Sequence, residues 1–475
     1  MSSIHIQSSD SIGRKQAIGL LGVCLLLVPL AIGGLGLPWL TGGESAVRSI
    51  ANLGPCTNPW AFFAAWGNLG LLTIVLLGYV ALGKLTRENL PGFLVFLGLS
   101  LLYLSFAREH VHYGDIHDYI DAARAVATGA PLPPRYVYPP LWAAVLARVW
   151  RSGGDPAVKL SCFFTNQFFL IWTIPLCIML IRRLTQTPLS AAIITGGILA
   201  VNVPVIRNIV YVQINFSVLF LVLSAALCSR KKPLVSAALM ALAIHLKLFP
   251  VLFLPAFIIP WRKRGFFAFG VWMAGGAGIL MYVDGIRYFQ DFVHNLSSWS
   301  PNPFRSSSIT GFVANSLSFA GMPGAAIIAK LLTLPFIALM CAAGWRLWQA
   351  HASDDTTDRD PLLVKRLGLL MFLFPLLSPT VWPHHLIFLI LPAATLLVHV
   401  RTRREATLFL CAFAAVFFMP VFDWYPWSYA RLAGWLTLLV MYAFIVPVRP
   451  VSDWVGHLSF PEHGPLSPTP ESTST

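Results

Sequence analysis

Charge is scarce in this chain. Asp, Glu, Lys and Arg together make up 11% of its 475 residues, where a soluble domain carries about 25%. Acids are rarer still, 19 against 33 basic residues, for a net charge of +14. Long apolar runs recur from Gln16 almost to Arg449, and 57% of residues are hydrophobic. A water-soluble core cannot hide that much apolar surface, so the bilayer is the solvent for most of the fold. There is also no basic stretch interleaved with aromatics, which excludes a nucleic-acid groove despite the charge. The seven cysteines form no Cys-x-x-Cys or Cys/His spacing, and most sit inside apolar segments. They read as small buried hydrophobes, not as disulfides or metal ligands.

What is present is a series of apolar segments, near residues 17–37, 61–83, 91–107, 160–181, 188–206, 208–228, 234–245, 248–260, 265–283, 325–347, 367–379, 385–399, 406–421 and 431–447. They predict an all-α polytopic membrane protein with roughly twelve to fourteen transmembrane helices, several shorter than a perpendicular span needs. The stretch from Ala17 to Leu37 is too long for a signal-peptide core and is read as the first span. One domain is expected over 1–450, and a disordered tail of Pro, Ser and Thr over 451–475.

Basic clusters flank these segments: Arg14/Lys15, Lys84/Arg87, Arg182/Arg183, Arg230/Lys231/Lys232, Arg262/Lys263/Arg264, Lys365/Arg366 and Arg401/Arg403/Arg404. Alternating the segments across the membrane puts every cluster on one face, which the charge bias makes cytoplasmic together with both termini. This requires 234–260 to break at Lys247-Leu-Phe-Pro250, where a lysine and a proline interrupt an apolar run. The polar residues out of place in a membrane then gather on the opposite face.

The richest stretch there is Gly114-Asp-Ile-His-Asp-Tyr-Ile-Asp-Ala-Ala-Arg124. Ile116, Tyr119, Ile120, Ala123 and Val126 share one face at helical spacing, and Gly129 and Pro131 end the run, which predicts an amphipathic helix in an outer loop. Asp115 reads as its N-cap, with Asp118 at the favourable third position, and as a carboxylate held outward as a general base, two roles that are compatible because a helix N-terminus holds a carboxylate rigidly. One carboxylate per turn at 115, 118 and 121 is a weak metal pattern, and no metal is expected. Gln213 and Asn215 open a later span, where amides either bond to a neighbouring helix or face a cavity. Lys247 either snorkels or holds an anionic phosphate at the outer end of a broken helix. Ser378-Pro-Thr-Val-Trp-Pro-His384-His385 forms a short outer turn, in which one imidazole suits a phosphate or a hydroxyl better than a metal. Arg305 with Ser306–Ser308, and the aromatics from Asp423 to Trp427, add polar and stacking surface. A carboxylate, a lysine, amides, histidines and aromatics on one side of a bundle fit a ligand made of phosphate and sugar.

Asp115-Ile-His-Asp-Tyr119 with Tyr138-Pro-Pro140, then Gln213-Ile-Asn215, Lys247-Leu-Phe-Pro250 and Ser378-Pro through His385, resemble in order the motifs of glycosyltransferase family 87. The resemblance implies a GT-C-like bundle and transfer from a polyprenyl-phosphate sugar, mannose above all, to a glycolipid or glycan acceptor outside a bacterial inner membrane. It implies an inverting reaction with Asp115 as catalytic base and no cofactor. Lys247, His384, His385, Gln213, Asn215 and Tyr138 would bind the donor, supported by His117, Asp118 and Arg305. Two features depart from the family pattern: Val212 replaces the glycine before Gln213, and residues 1–90 hold an extra N-terminal hairpin. The rival class is a transporter or flippase of lipid-linked sugars, but no half-to-half repeat is visible and the polar residues lie to one side, not at mid-membrane.

Overall fold

The computed structural model describes residues 58–110, 114–298 apart from 186 and 201, 306–322, 359–378, 381–419 and 429–446, with isolated positions between 328 and 342. The expected first span at 17–37, the segment 325–347, the 423–427 aromatics, Arg305 and the 451–475 tail lie outside the described residues. All regular structure among the described residues is helical. Helices Pro59–Ala81 (α1), Leu90–His110 (α2), Pro140–Arg182 (α4) and Ile258–Asp284 (α9) contain stretches long and apolar enough to cross a membrane. Pro188–Ala200 (α5) and Val203–Val210 (α6), bent by 59°, are long and apolar enough to cross only when taken together, as a broken span or a re-entrant loop. Asn215–Cys228 (α7), Pro233–Leu246 (α8), Ile309–Phe319 (α11), Pro383–His399 and Ala430–Ile445 (α15) are apolar but shorter. The described part of the chain thus holds four or five full-length spans, and further apolar segments fold as the shorter helices that the sequence pattern predicts.

The break at Lys247 is present. α8 stops at Leu246, Lys247 is extended (φ −153°, ψ 133°), and Phe249–Phe257 continues as a 3₁₀ helix. Pro250 and Pro255 remove backbone donors there. Phe249 fixes the break by packing on Phe374 and Phe388, each with ring centroids 4.7 Å apart. α7, buried on nearly every face, packs between α4 and α8.

The expected amphipathic helix is Ile116–Thr128 (α3). It buries Ile116, Tyr119, Ile120, Ala123 and Val126, and ends on Gly129 in the left-handed conformation (φ 78°). Its partner is the first part of α4, which the sequence reading left inside an outer loop reaching residue 159. Gly153 and Gly154 kink α4, separating this surface helix from the span beyond it. Arg124 pairs with Asp155 at 2.7 Å, and Trp150 Nε1 donates to the same carboxylate at 2.8 Å. A second difference concerns Lys365/Arg366. Arg359–Leu377 (α12) begins two turns before the apolar run, so Arg366 lies inside the helix and is 2% exposed instead of flanking a span.

One amphipathic helix has no counterpart in the sequence reading. Arg287–Ser298 (α10) follows α9 and clasps the segment after α3. Asp291 accepts the Leu132 N–H at 2.9 Å, and buried Asn295 donates to the Pro133 and Tyr136 carbonyls at 2.9 and 3.2 Å. Arg148 on α4 grips Asp284 with two 3.1 Å contacts. The 129–138 segment, which delivers Tyr138, is therefore fastened from outside. Replacing Asn295 by Leu strands two carbonyls, at a cost of about 1–3 kcal/mol. Its expected signature is a lower unfolding temperature and faster hydrogen exchange confined to residues 129–138.

Candidate functional site

The site forms where α3, the α6–α7 turn, the Lys247 break and the turn before Pro383 meet. Asp115 sits at the N-cap position of α3, but its side chain makes no capping hydrogen bond. The capping expectation is thereby corrected. The Oδ2 atom instead accepts from Gln213 Nε2, and from the Tyr138 hydroxyl at 3.2 Å. Two donors from two other elements outcompete the helix's own amides, and they hold the carboxylate away from α3. Gly114 makes the approach possible. Its φ is +23°, and a Cβ there would lie 2.7 Å from the Tyr211 Cα.

Lys247 is buried, and its Nζ donates to Asn215 Oδ1 at 2.6 Å. The ammonium also lies over the Tyr138 ring at 5.2 Å and the Phe249 ring at 6.0 Å, distances that suit cation–π attraction. Asp115 is the charge that acts on it. Tyr138 therefore touches both charged groups, donating its hydroxyl to one and presenting its ring to the other. Tyr119 and Tyr136 flank that ring at 5.8 and 5.5 Å.

Asn208, which the sequence reading missed, ties these parts together. Its Nδ2 donates to the His384 carbonyl and the Pro204 carbonyl, both at 2.7 Å, and its Oδ1 accepts from Asn215 Nδ2 at 2.9 Å. Asn215 Nδ2 also reaches the His384 carbonyl at 3.3 Å. Asn166 on α4 donates to the Asn208 and Gln213 carbonyls at 3.2 and 2.8 Å. Asparagines at helical depth are a signal of helix contacts, but nothing in their spacing singles out these two. Val212, inside this turn, has φ 53° and is the one non-glycine with positive φ among the described residues.

These bonds divide the site residues by remaining capacity. Both Asn215 amide protons are engaged and its oxygen holds Lys247, so Asn215 orients the lysine. Gln213 is different: its amide nitrogen is turned toward Asp115, and its Oε1 is buried without a hydrogen-bond partner. A buried acceptor in that state favours an incoming O–H, such as a sugar hydroxyl, over an ionised phosphate oxygen. Lys247, with three protons and one bonded, is the donor left for an anion. His385 Nδ1 accepts the Trp382 N–H at 3.4 Å, which turns that imidazole back onto its own turn. His384 sits half-buried against it, within electrostatic reach of Lys247 and Arg207. Arg207, also missed, donates to the Tyr211 hydroxyl at 2.9 Å.

Asp118 and His117 lie one turn along α3, Asp118 half-buried and His117 exposed. Burial pushes the Asp118 carboxyl up, the nearby Asp115 carboxylate adds to this, and Arg135 opposes it. No group of three or more His, Cys, Asp or Glu side chains among the described residues comes together to hold a metal.

Fold and site define a multi-pass helical membrane protein with a carboxylate and a buried lysine gathered around one tyrosine. The model of glycosyltransferase family 87 matches residues 136–379, just over half the chain and including Tyr138, Gln213, Asn215 and Lys247. The chain belongs to that family, and it is a membrane glycosyltransferase. No curated protein and no solved structure gives a significant match.

Gly114→Ala tests the packing that places Asp115. A left-handed φ strains any Cβ-bearing residue, and the added carbon meets Tyr211 backbone that has no freedom to retreat. The expected result is a protein less stable by roughly 1–3 kcal/mol, read as a lower thermal unfolding midpoint in detergent.

Proposed function

We propose that the protein transfers a sugar, mannose by its family resemblance, from a polyprenyl-phosphate donor to a hydroxyl of a glycolipid or glycan. The reaction takes place on the extracytoplasmic side of a bacterial inner membrane. The observation that carries this reading is that Asp115 and Lys247 both lie against Tyr138, one at its hydroxyl and the other over its ring. It puts a base beside a fixed cation, with an unpartnered acceptor, Gln213 Oε1, next to the base.

In the proposed step the acceptor oxygen attacks the anomeric carbon from the face opposite the phosphate. As the new C–O bond forms, the bond to the phosphate oxygen breaks and the acceptor proton passes to Asp115. The departing polyprenyl phosphate keeps the bonding electrons, and Lys247 stabilises that charge. Asn215, held by Asn208, aims the lysine. Gln213 Oε1 accepts a hydroxyl of the bound sugars, and Tyr119 and Tyr136, both buried, pack on Tyr138 and fix its ring. His384 borders the phosphate end, and His385 braces its turn. Sidedness follows from the basic clusters, which lie away from Asp115 along the alternating segments.

Asp115→Asn preserves shape and leaves an oxygen for Gln213 and Tyr138, but removes the basicity. In a membrane assay with polyprenyl-phosphate mannose, turnover should fall by about 10²–10⁴-fold, in a variant that still folds but unfolds at a lower temperature because Lys247 loses the charge opposite it. Wild-type turnover in a folded variant would end this assignment.

A further inference from the structure

α8 carries Lys247 just past its C-terminal end. At its N-terminal end, about 20 Å away along the helix, lies a separate groove between α8 and α9. It measures about 770 Å³ and is lined by Leu234, Val235, Ala238, Phe267, Ala268, Val271 and Trp272, with Lys263 and Arg264. That volume is in the range of small-molecule sites, ~300–1,000 Å³. Lys231 and Lys232 immediately precede α8 and are exposed. None of these four cations forms an ion pair with an acid among the described residues.

We propose that this groove binds one anionic phospholipid. Its acyl chain lies on the apolar floor between Val235 and Phe267, and its phosphate rests at Lys263 and Arg264 with Lys231 and Lys232 beside it. An apolar groove alone accepts any hydrocarbon chain. Four unpaired cations on the adjoining turns select a negative headgroup, as basic pockets between transmembrane helices do. The same charges argue against a second copy of the chain, which would bring two cationic patches together. The site is distinct from the proposed donor site: Lys247 and these cations lie at opposite ends of α8, so one phosphate cannot serve both.

Native mass spectrometry of the full-length, delipidated protein, titrated with phosphatidylglycerol or phosphatidylcholine of matched chains, tests this. Wild type should retain one phosphatidylglycerol in preference to phosphatidylcholine. The variant K263A/R264A should lose roughly tenfold or more of that preference, on the scale expected for two juxtamembrane cations. Ala268→Trp, which fills the groove and keeps the charges, should lose the bound lipid of either type. Should K263A/R264A fold poorly, K231Q/K232Q, at exposed positions, carries the charge test, with a smaller drop in preference expected. Equal retention of the two lipids by wild type, or an unchanged preference in the charge variants, would overturn the proposal. So would a dimer that Ala268→Trp disrupts, because it would give the face to a second copy.

Discussion

The constraint on which the site depends is the burial of one ammonium group. Taking a charge out of water costs several kcal/mol unless partners replace the lost hydration. Lys247 meets that demand with the Asn215 oxygen, the faces of Tyr138 and Phe249, and the charge of Asp115. Each partner comes from a different element: α7, the segment after α3, the 3₁₀ helix and the start of α3. Satisfying one cation therefore draws four pieces of chain to one point. Asn215 can serve only because Asn208 and the His384 carbonyl hold its amide in one orientation.

The turn that supplies Gln213 and Asn215 shows how such a network tolerates strain. A β-branched residue with positive φ costs about 1–3 kcal/mol. Val212 adopts that conformation where the family pattern has glycine, and its side chain is 2% exposed. Burying a valine contributes about 1.5–3 kcal/mol, which offsets the strain at the same residue. Asn166 locks the turn from α4 by holding carbonyls on either side of Val212. With valine at this position, the Gln213 amide reaches Asp115.

Some of this was legible in the sequence for identifiable reasons. The Lys247 break could be read because lysine and proline interrupt an apolar run, a local signal. The same holds for α3, whose apolar spacing and terminal glycine are contained within fourteen residues. Asn208 and Asn166 escaped notice because a lone asparagine in an apolar segment looks alike whether it bonds to its own helix or joins two others. The α10 clasp escaped because its partners are 159 and 162 positions apart in the chain. Capping was a sound local expectation for Asp115, and it failed because donors 23 and 98 residues away outcompete the helix amides. Arg366 misled in the opposite sense, since a basic pair beside an apolar run carries the same signature whether the helix starts after it or before it.

Hydrogen-bond capacity adds what residue type alone cannot. In the sequence, Gln213 and Asn215 are equivalent amides two positions apart, each suited to sugar or phosphate. In the fold they face different tasks, because α7 begins between them and sends their side chains to different neighbours. Asn215 has both its protons engaged and acts through Lys247. Gln213 gives a proton to Asp115 and leaves a buried oxygen with no partner, so its open valence calls for a donor. Lys247 has the converse character, protons without an acceptor beyond Asn215. A ligand that satisfies both must offer a hydroxyl at one end and an anion at the other, with its reacting carbon between them. A phosphorylated sugar meets that description, and in the proposed reaction Asp115, which accepts from Gln213, is the group that would take the proton of the attacking hydroxyl.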